Sequence, residues 1–312
     1  MVNRRWRKTL ASLIETYCLD KWADTPLDKL NFIEVKEWLL TIKSKKTGKP
    51  LHNQSRNHIL YGCFRVPLRY VRMKGIIEVN PFGEIEPFSA SVDRRTRDVF
   101  TRDELERLFP QNLRSVWKSE KWATIFLVLT TTGIREGELR ALQWKHFHPE
   151  DGYLHIERAV KSDRTIGPLK KRKTGDCRPV PLIPIAVAAL EGWHKITPFK
   201  DAECLIFPGE YKHEKPLVAT YFPRRLAMAC KAAKVDMSGR NLNVHSLRHT
   251  YETLLDSSAA RQAVQALAGH RDARITAGYS HRTIDDQKKL LEPSRPVIEK
   301  VFDFLLTHKG LE

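Results

Sequence analysis

Apolar residues recur at helical spacing through the first eighty positions, and the clearest stripe is Leu60, Phe64, Leu68 and Val71. Pro67 interrupts that stripe, because a proline inside a helix has no N–H to donate and crowds the carbonyl one turn back. The pattern from Thr9 to about Asn80 predicts a small helical domain. Asn80, Pro81, Phe82 and Gly83 close it, and the polar run 86–97, EPFSASVDRRTR, reads as a linker. Further on, Thr101 and Glu104 have capping-box spacing and open the helix TRDELERLF. More helix is expected around Trp122–Thr131 and again from near Arg135. Tyr153–Val160 then reads as extended, 161–176 as a basic loop, and Arg178–Leu182 as the strand that returns from it.

These periodicities predict a mainly α protein with a small antiparallel β-sheet, of the α+β class. The predicted domains are 1–92 and 93–292, followed by a C-terminal helix within 293–312. That last segment follows Pro293 and Pro296 and sets Val297, Ile298, Val301, Phe302, Leu305 and Leu306 on a narrow apolar face that must be buried somewhere.

Charge narrows the partner. The 312 residues hold 54 Lys and Arg against 37 Asp and Glu, a formal net charge of +17, which points to a polyanion. Residues 1–92 contain 16 basic and 9 acidic side chains and residues 93–312 contain 38 and 28, so both parts are basic, as suits a chain that grips DNA from two sides. Solvated surface charge alone would look the same. Membrane attachment is disfavoured, since no apolar stretch approaches the roughly 18 residues of a spanning helix and the N-terminus lacks a signal-peptide core. The expected location is the cytosol, at a bacterial nucleoid. Five cysteines, Cys18, Cys63, Cys177, Cys204 and Cys230, are odd in number and widely separated, without a CxxC pair. Neither a disulfide framework nor a zinc site is expected of them.

Four separated segments carry polar groups that packing does not require. In Thr132–Arg140, Gly133 can supply an unusual backbone angle before a helix, and Arg135 stands three residues from Glu138, whose carboxylate could hold the guanidinium toward a phosphate. In the basic loop, one of Lys170, Lys171 and Lys173 could protonate a departing DNA strand, the others serving as phosphate contacts. In His245–Thr250, two histidines four apart share a face, but the Glu of H-E-x-x-H is missing, so no metal is expected. His245 and Arg248 instead suit a phosphate, by proton transfer and by charge. Finally, His270 precedes Tyr279 by nine positions, and Gly278 beside the tyrosine suggests a turned approach. A phenol can attack a phosphodiester and conserve the bond energy for religation. Singly, each of these residues would more often be structural.

Together they resemble the tyrosine recombinase, or phage integrase, superfamily, through TGIREGELRALQW, KTGDCRPVPL, HSLRHTYETLL and AGHRDARITAGYSH in that order. One position departs: Ala268 stands where these proteins usually have leucine before the Gly-His pair. The resemblance implies a helical, SAM-like core-site DNA-binding domain followed by the catalytic domain. It implies that Arg135 and Arg248 clamp the scissile phosphate, that Lys173 is the general acid for the leaving 5′ oxygen, and that His245 assists proton transfer. His270 would hydrogen-bond a phosphate oxygen, Tyr279 would form a 3′-phosphotyrosyl bond, and Glu138 would support. No cofactor and no metal are implied. The implied partners are double-stranded DNA carrying attachment or core sites, further copies of the chain in a tetrameric synapse, and accessory DNA-bending proteins. The C-terminal helix would dock on a neighbouring protomer, or more plainly on its own domain. The implied function is site-specific recombination or integration for a phage or mobile element. A type IB topoisomerase and a DNA-binding protein without cleavage are the alternatives.

Overall fold

Helix α1 (Arg4–Leu13) runs through a π-helical turn, Ile14–Cys18, into α2 (Leu19–Trp22), and α3 (Phe32–Thr41) follows. Asn31 starts α3 by accepting the Ile33 N–H at 2.8 Å, satisfying one of the donors a helix start leaves over. Next, α4 (Asn53–Ile59), a π-helical turn at Leu60–Arg65 and α5 (Val66–Met73) form one continuous run. Pro67 therefore does not end the helix. The widened turn stands directly before it, at the position where a ring without an N–H must be accommodated. Leu60, Phe64 and Leu68 are buried as the stripe predicts, and Val71 is partly exposed. Trp22, Trp38 and Phe64 meet edge to face. Cys18 and Cys63, distant in sequence, hydrogen-bond each other in this core.

The computed structural model describes residues 4–45, 47–89, 98–169, 177–210, 214–256, 296 and 298–305. The chain forms two units, Met1–Thr96, which holds the helices above, and Arg97–Glu312.

The second unit opens with α6 (Arg102–Leu108), and both arms of the Thr101–Glu104 capping box are formed. After α7 (Leu113–Trp117), α8 (Glu120–Thr132) is buried from Trp122 to its end, as a helix apolar all round must be. Thr130, Thr131 and Thr132 are buried with it, and each hydroxyl donates to the carbonyl four residues back, so no polar group is stranded there. The short α9 (Glu136–Leu139) leads to strands β1 (Phe147–His148), β2 (Tyr153–Ile156), β3 (Arg158–Val160), β4 (Ile166–Pro168) and β5 (Arg178–Pro181). Helices α10 (Pro184–Ile196), α11 (Tyr221–Ala232) and α12 (Val244–Asp256) complete the core around α8.

The expected return strand is present: β5 pairs antiparallel with β2, Leu154 opposite Val180, in a sheet ordered β1-β2-β5. Two expectations change. Tyr153–Val160 is not one strand but two, in different sheets, and the region read as a basic loop contains β4, which pairs with β3. Asp163 and Arg164 close that hairpin: Asp163 Oδ1 accepts from Thr165, and Arg164 adopts φ +68°. The brevity of β4 and its Gly and Pro hid it from the periodicity.

At the C-terminal end, 298–301 are helical and Asp303–Leu305 form a 3-10 turn. Ile298, Phe302, Phe304 and Leu305 are buried in the core of their own unit, and the Phe302 ring stacks on Tyr251 with 6.2 Å between centroids. Val297 and Leu306 lie outside the described residues. No helix among the described residues is long and apolar enough to cross a membrane.

Candidate active site

Helix α8 ends where Gly133 turns left-handed, with φ +61°. A side chain here would be strained by the backbone angle, and its Cβ would lie 2.4 Å from a ring carbon of Tyr251. The turn aims the Gly133 carbonyl at Arg248, whose Nη1 donates to it at 2.6 Å.

Arg135 follows as the cap of α9. Its backbone N–H donates to Glu138 Oε2 at 3.0 Å and its Nη1 to Oε1 at 3.0 Å, so the expected pairing is present, made from the cap position rather than from within the helix. Four residues are too few for a self-sustaining helix. Gly137 lets α9 lie close on β3, since a Cβ there would be 3.0 Å from the Val160 carbonyl oxygen.

The Glu138 side chain is 3% exposed and that of Arg135 50%. A buried carboxylate needs more than one half-exposed partner, and a second guanidinium comes from β5: Arg178 Nη2 donates to Glu138 Oε2 at 2.8 Å. Burial opposes ionisation of Glu138, but Arg178, then the Arg135 N–H and charge, hold the carboxyl below the usual carboxylate range. Its folded value being depressed, the stability it contributes is complete above the ordinary carboxylate value and is lost as pH falls through the depressed one.

Asn243 starts α12, its Oδ1 accepting the His245 N–H at 2.9 Å. His245 is exposed in the first turn, where a helix favours anions. Arg248, one turn in, is recessed, and its Nε meets Glu252 Oε1 at 2.8 Å. The other carboxylate oxygen of Glu252 lies 3.3 Å from His249 Nδ1, and the His245 and His249 rings are 6.0 Å apart. Partial shielding of the exposed residue's ring from water, then the neighbouring His249, Arg248 and Arg135, push the His245 imidazole below its ordinary value, with Glu252 pulling the other way. At neutral pH the ring is therefore uncharged and able to take a proton.

The structure thus brings together Arg135, Glu138, His245 and Arg248 from two segments more than a hundred residues apart. Lys173, His270 and Tyr279 lie outside the described residues, as do Lys170 and Lys171. Among the described residues no three His, Cys, Asp or Glu side chains cluster as metal ligands do. Sequence reasoning missed Arg178 and Glu252. Glu252 could have been found, being four residues from Arg248 and three from His249 on one helix. Arg178 has no local signal, since its partner is distant in the chain.

The model of the phage integrase family matches residues 98–285, more than half of the chain. The tyrosine recombinase XerC of Pseudomonas syringae pv. syringae (strain B728a) is 24% identical over 93% of this chain and 88% of its own. In fold, the chain is similar to the Tn1549 transposon integrase in complex with a circular intermediate DNA, with TM-score 0.67, 18% identity and 94% of each chain covered. It is also similar to lambda integrase in a dimer bound to a COC′ core site, with TM-score 0.62, 20% identity, and 91% and 93% covered. The chain belongs to the phage integrase family, the tyrosine recombinases, which cleave and rejoin DNA strands by transesterification.

Proposed function

We propose that this chain is a site-specific recombinase or integrase of a phage or mobile element, acting through Tyr279 on double-stranded attachment sites. The observation that carries the reading is the meeting of Arg135, Arg248 and His245 beside one turn, because a phosphodiester needs two cationic clamps and a proton carrier in one place. Arg135 and Arg248 bind the non-bridging oxygens of the scissile phosphate and His270 hydrogen-bonds one of them. The Tyr279 oxygen attacks phosphorus, losing its proton toward His245. A phosphorus–oxygen bond to the tyrosine forms and the bond to the 5′ oxygen breaks, with Lys173 protonating that oxygen as it leaves. Attack by the 5′ hydroxyl of a partner strand reverses these steps and frees the tyrosine. Bond energy is conserved in the phosphotyrosyl ester, so neither ATP nor a metal enters the scheme.

Four copies exchanging strands on two paired sites, with DNA-bending proteins assisting and the cytosol as compartment, complete the proposal. Any C-terminal segment that docked on a neighbour would have to leave the core that Phe302 fills, or use residues beyond Leu305.

The test begins with a duplex selected by the full chain from a random-sequence library. Nicked versions are incubated with protein and resolved under denaturing conditions. A covalent 3′ adduct is expected, and Tyr279→Phe should abolish it while retaining the duplex. No adduct with the unaltered chain would leave a DNA-binding protein, and relaxation of any supercoiled plasmid without site preference would mark a topoisomerase.

A further inference from the structure

We propose that Arg178 is a positioning residue for strand cleavage, acting through Glu138 to set the guanidinium of Arg135. The inference rests on the function proposed above and adds a group that the four motifs do not contain as a site residue.

A carboxylate 3% exposed, as that of Glu138 is, must be compensated, or it takes up a proton. Arg135 cannot compensate it alone, because its side chain is half in solvent and has the substrate phosphate to bind. Arg178, 17% exposed on β5, faces the carboxylate with both terminal nitrogens, Nη2 to Oε2 at 2.8 Å and Nη1 to Oε1 at 3.5 Å. This forked geometry is specific to a guanidinium. Oε1 and Oε2 are the same atoms that hold Arg135, by Nη1 and by the backbone N–H. The two arginines therefore share one anion. Arg178 keeps it an anion and oriented, and Arg135 is positioned by it.

Among the described residues, Arg135 at the head of α9 and Arg178 on β5 contact Glu138, and the charge of Arg248 on α12 also acts on it. Removing Arg178 takes away the recessed member of the pair that contacts the carboxylate directly. The carboxyl then protonates at higher pH, one of its oxygens ceases to accept, and Arg135 loses its fixed direction. Misplacement by about an ångström in such a site costs on the order of a hundredfold in rate.

The test uses the full chain on the nicked selected duplex, with single-turnover cleavage at saturating protein measured from pH 6 to pH 9. Arg178→Gln is expected to cut the cleavage rate about ten- to a hundredfold at neutral pH with duplex retention changed less than threefold. The loss should deepen toward acid and shrink toward alkali, and Arg178→Lys should restore part of the rate and flatten the profile. A second comparison covers the case in which Arg178→Gln does not fold. In a Glu138→Gln background, where no buried anion remains, adding Arg178→Gln should change cleavage by less than about twofold. An Arg178→Gln enzyme that cleaves normally across the range overturns the proposal. So does an equal loss in both backgrounds, or a loss independent of pH that lysine does not relieve. If the unaltered chain forms no adduct, the function proposed above fails instead, before any variant is compared.

Discussion

The two arginines at the site are held in opposite ways. Arg135 stands on a tight turn, half-exposed, its backbone and side chain both tied to one carboxylate three residues on. Arg248 is recessed in a regular helix, held by Glu252 one turn along and by a carbonyl from the distant Gly133 turn. The exposed arginine is thus held by a carboxylate of its own turn that Arg178 shares, and the recessed one by a carboxylate of its own helix and a carbonyl from a distant turn. Loss of the half-exposed Arg135 side chain is therefore expected to cost less stability than loss of the buried Arg248.

The largest effect that would break this comparison is loss of either guanidinium. Arg135→Ala and Arg248→Ala should each lower single-turnover cleavage on the order of a hundred- to a thousandfold, with DNA retention changed far less. Their stabilities should differ: about 1–3 kcal/mol lost for Arg248→Ala, which strands polar partners in the core, against about 0–1 kcal/mol for Arg135→Ala. Denaturant unfolding of the two variants measures this, and equal losses would mean that the arginines are held alike.

A smaller but telling change is Gly133→Ala, which meets both the left-handed backbone and the Tyr251 ring 2.4 Å from the new Cβ. It should destabilise the chain by about 2–4 kcal/mol and slow cleavage as well, since the Gly133 carbonyl orients Arg248. A loss below about 0.5 kcal/mol in thermal or denaturant unfolding would contradict the turn described.

The smallest effect concerns proton affinity. His245 titrates below its ordinary value, so cleavage that needs an uncharged ring should persist below that value before falling with acid. Glu252 favours the protonated ring, so Glu252→Gln should move the acid limb to lower pH. A limb that moves to higher pH would show that Glu252 acts on His245 by some route other than its charge.

Much of the site was legible because its pieces are local. Arg135 to Glu138 and Thr101 to Glu104 are contacts between residues three positions apart, which the turn at a helix start brings together. The pairing of β2 with β5 could be read from two extended runs flanking a basic stretch. The β3–β4 hairpin could not, because strands of three residues bearing Gly and Pro carry too little alternation. Nor could the meeting of Cys18 with Cys63, which depends on how α1 and the α4–α5 run pack.

From the sequence alone came the class of the protein, through four motifs in their order, together with the helical first unit, the Thr101 cap and the β2–β5 pairing, because motif spacing, periodicity and caps act along the chain. Only the tertiary structure decided what holds those groups. Whether Glu138 is buried, which second cation shares it, and that the Gly133 carbonyl reaches Arg248 depend on segments about 40 and 115 residues apart in the chain. Burial and charge compensation are properties of the packed state, in which a carboxylate removed from water must find its cations wherever the fold has brought them.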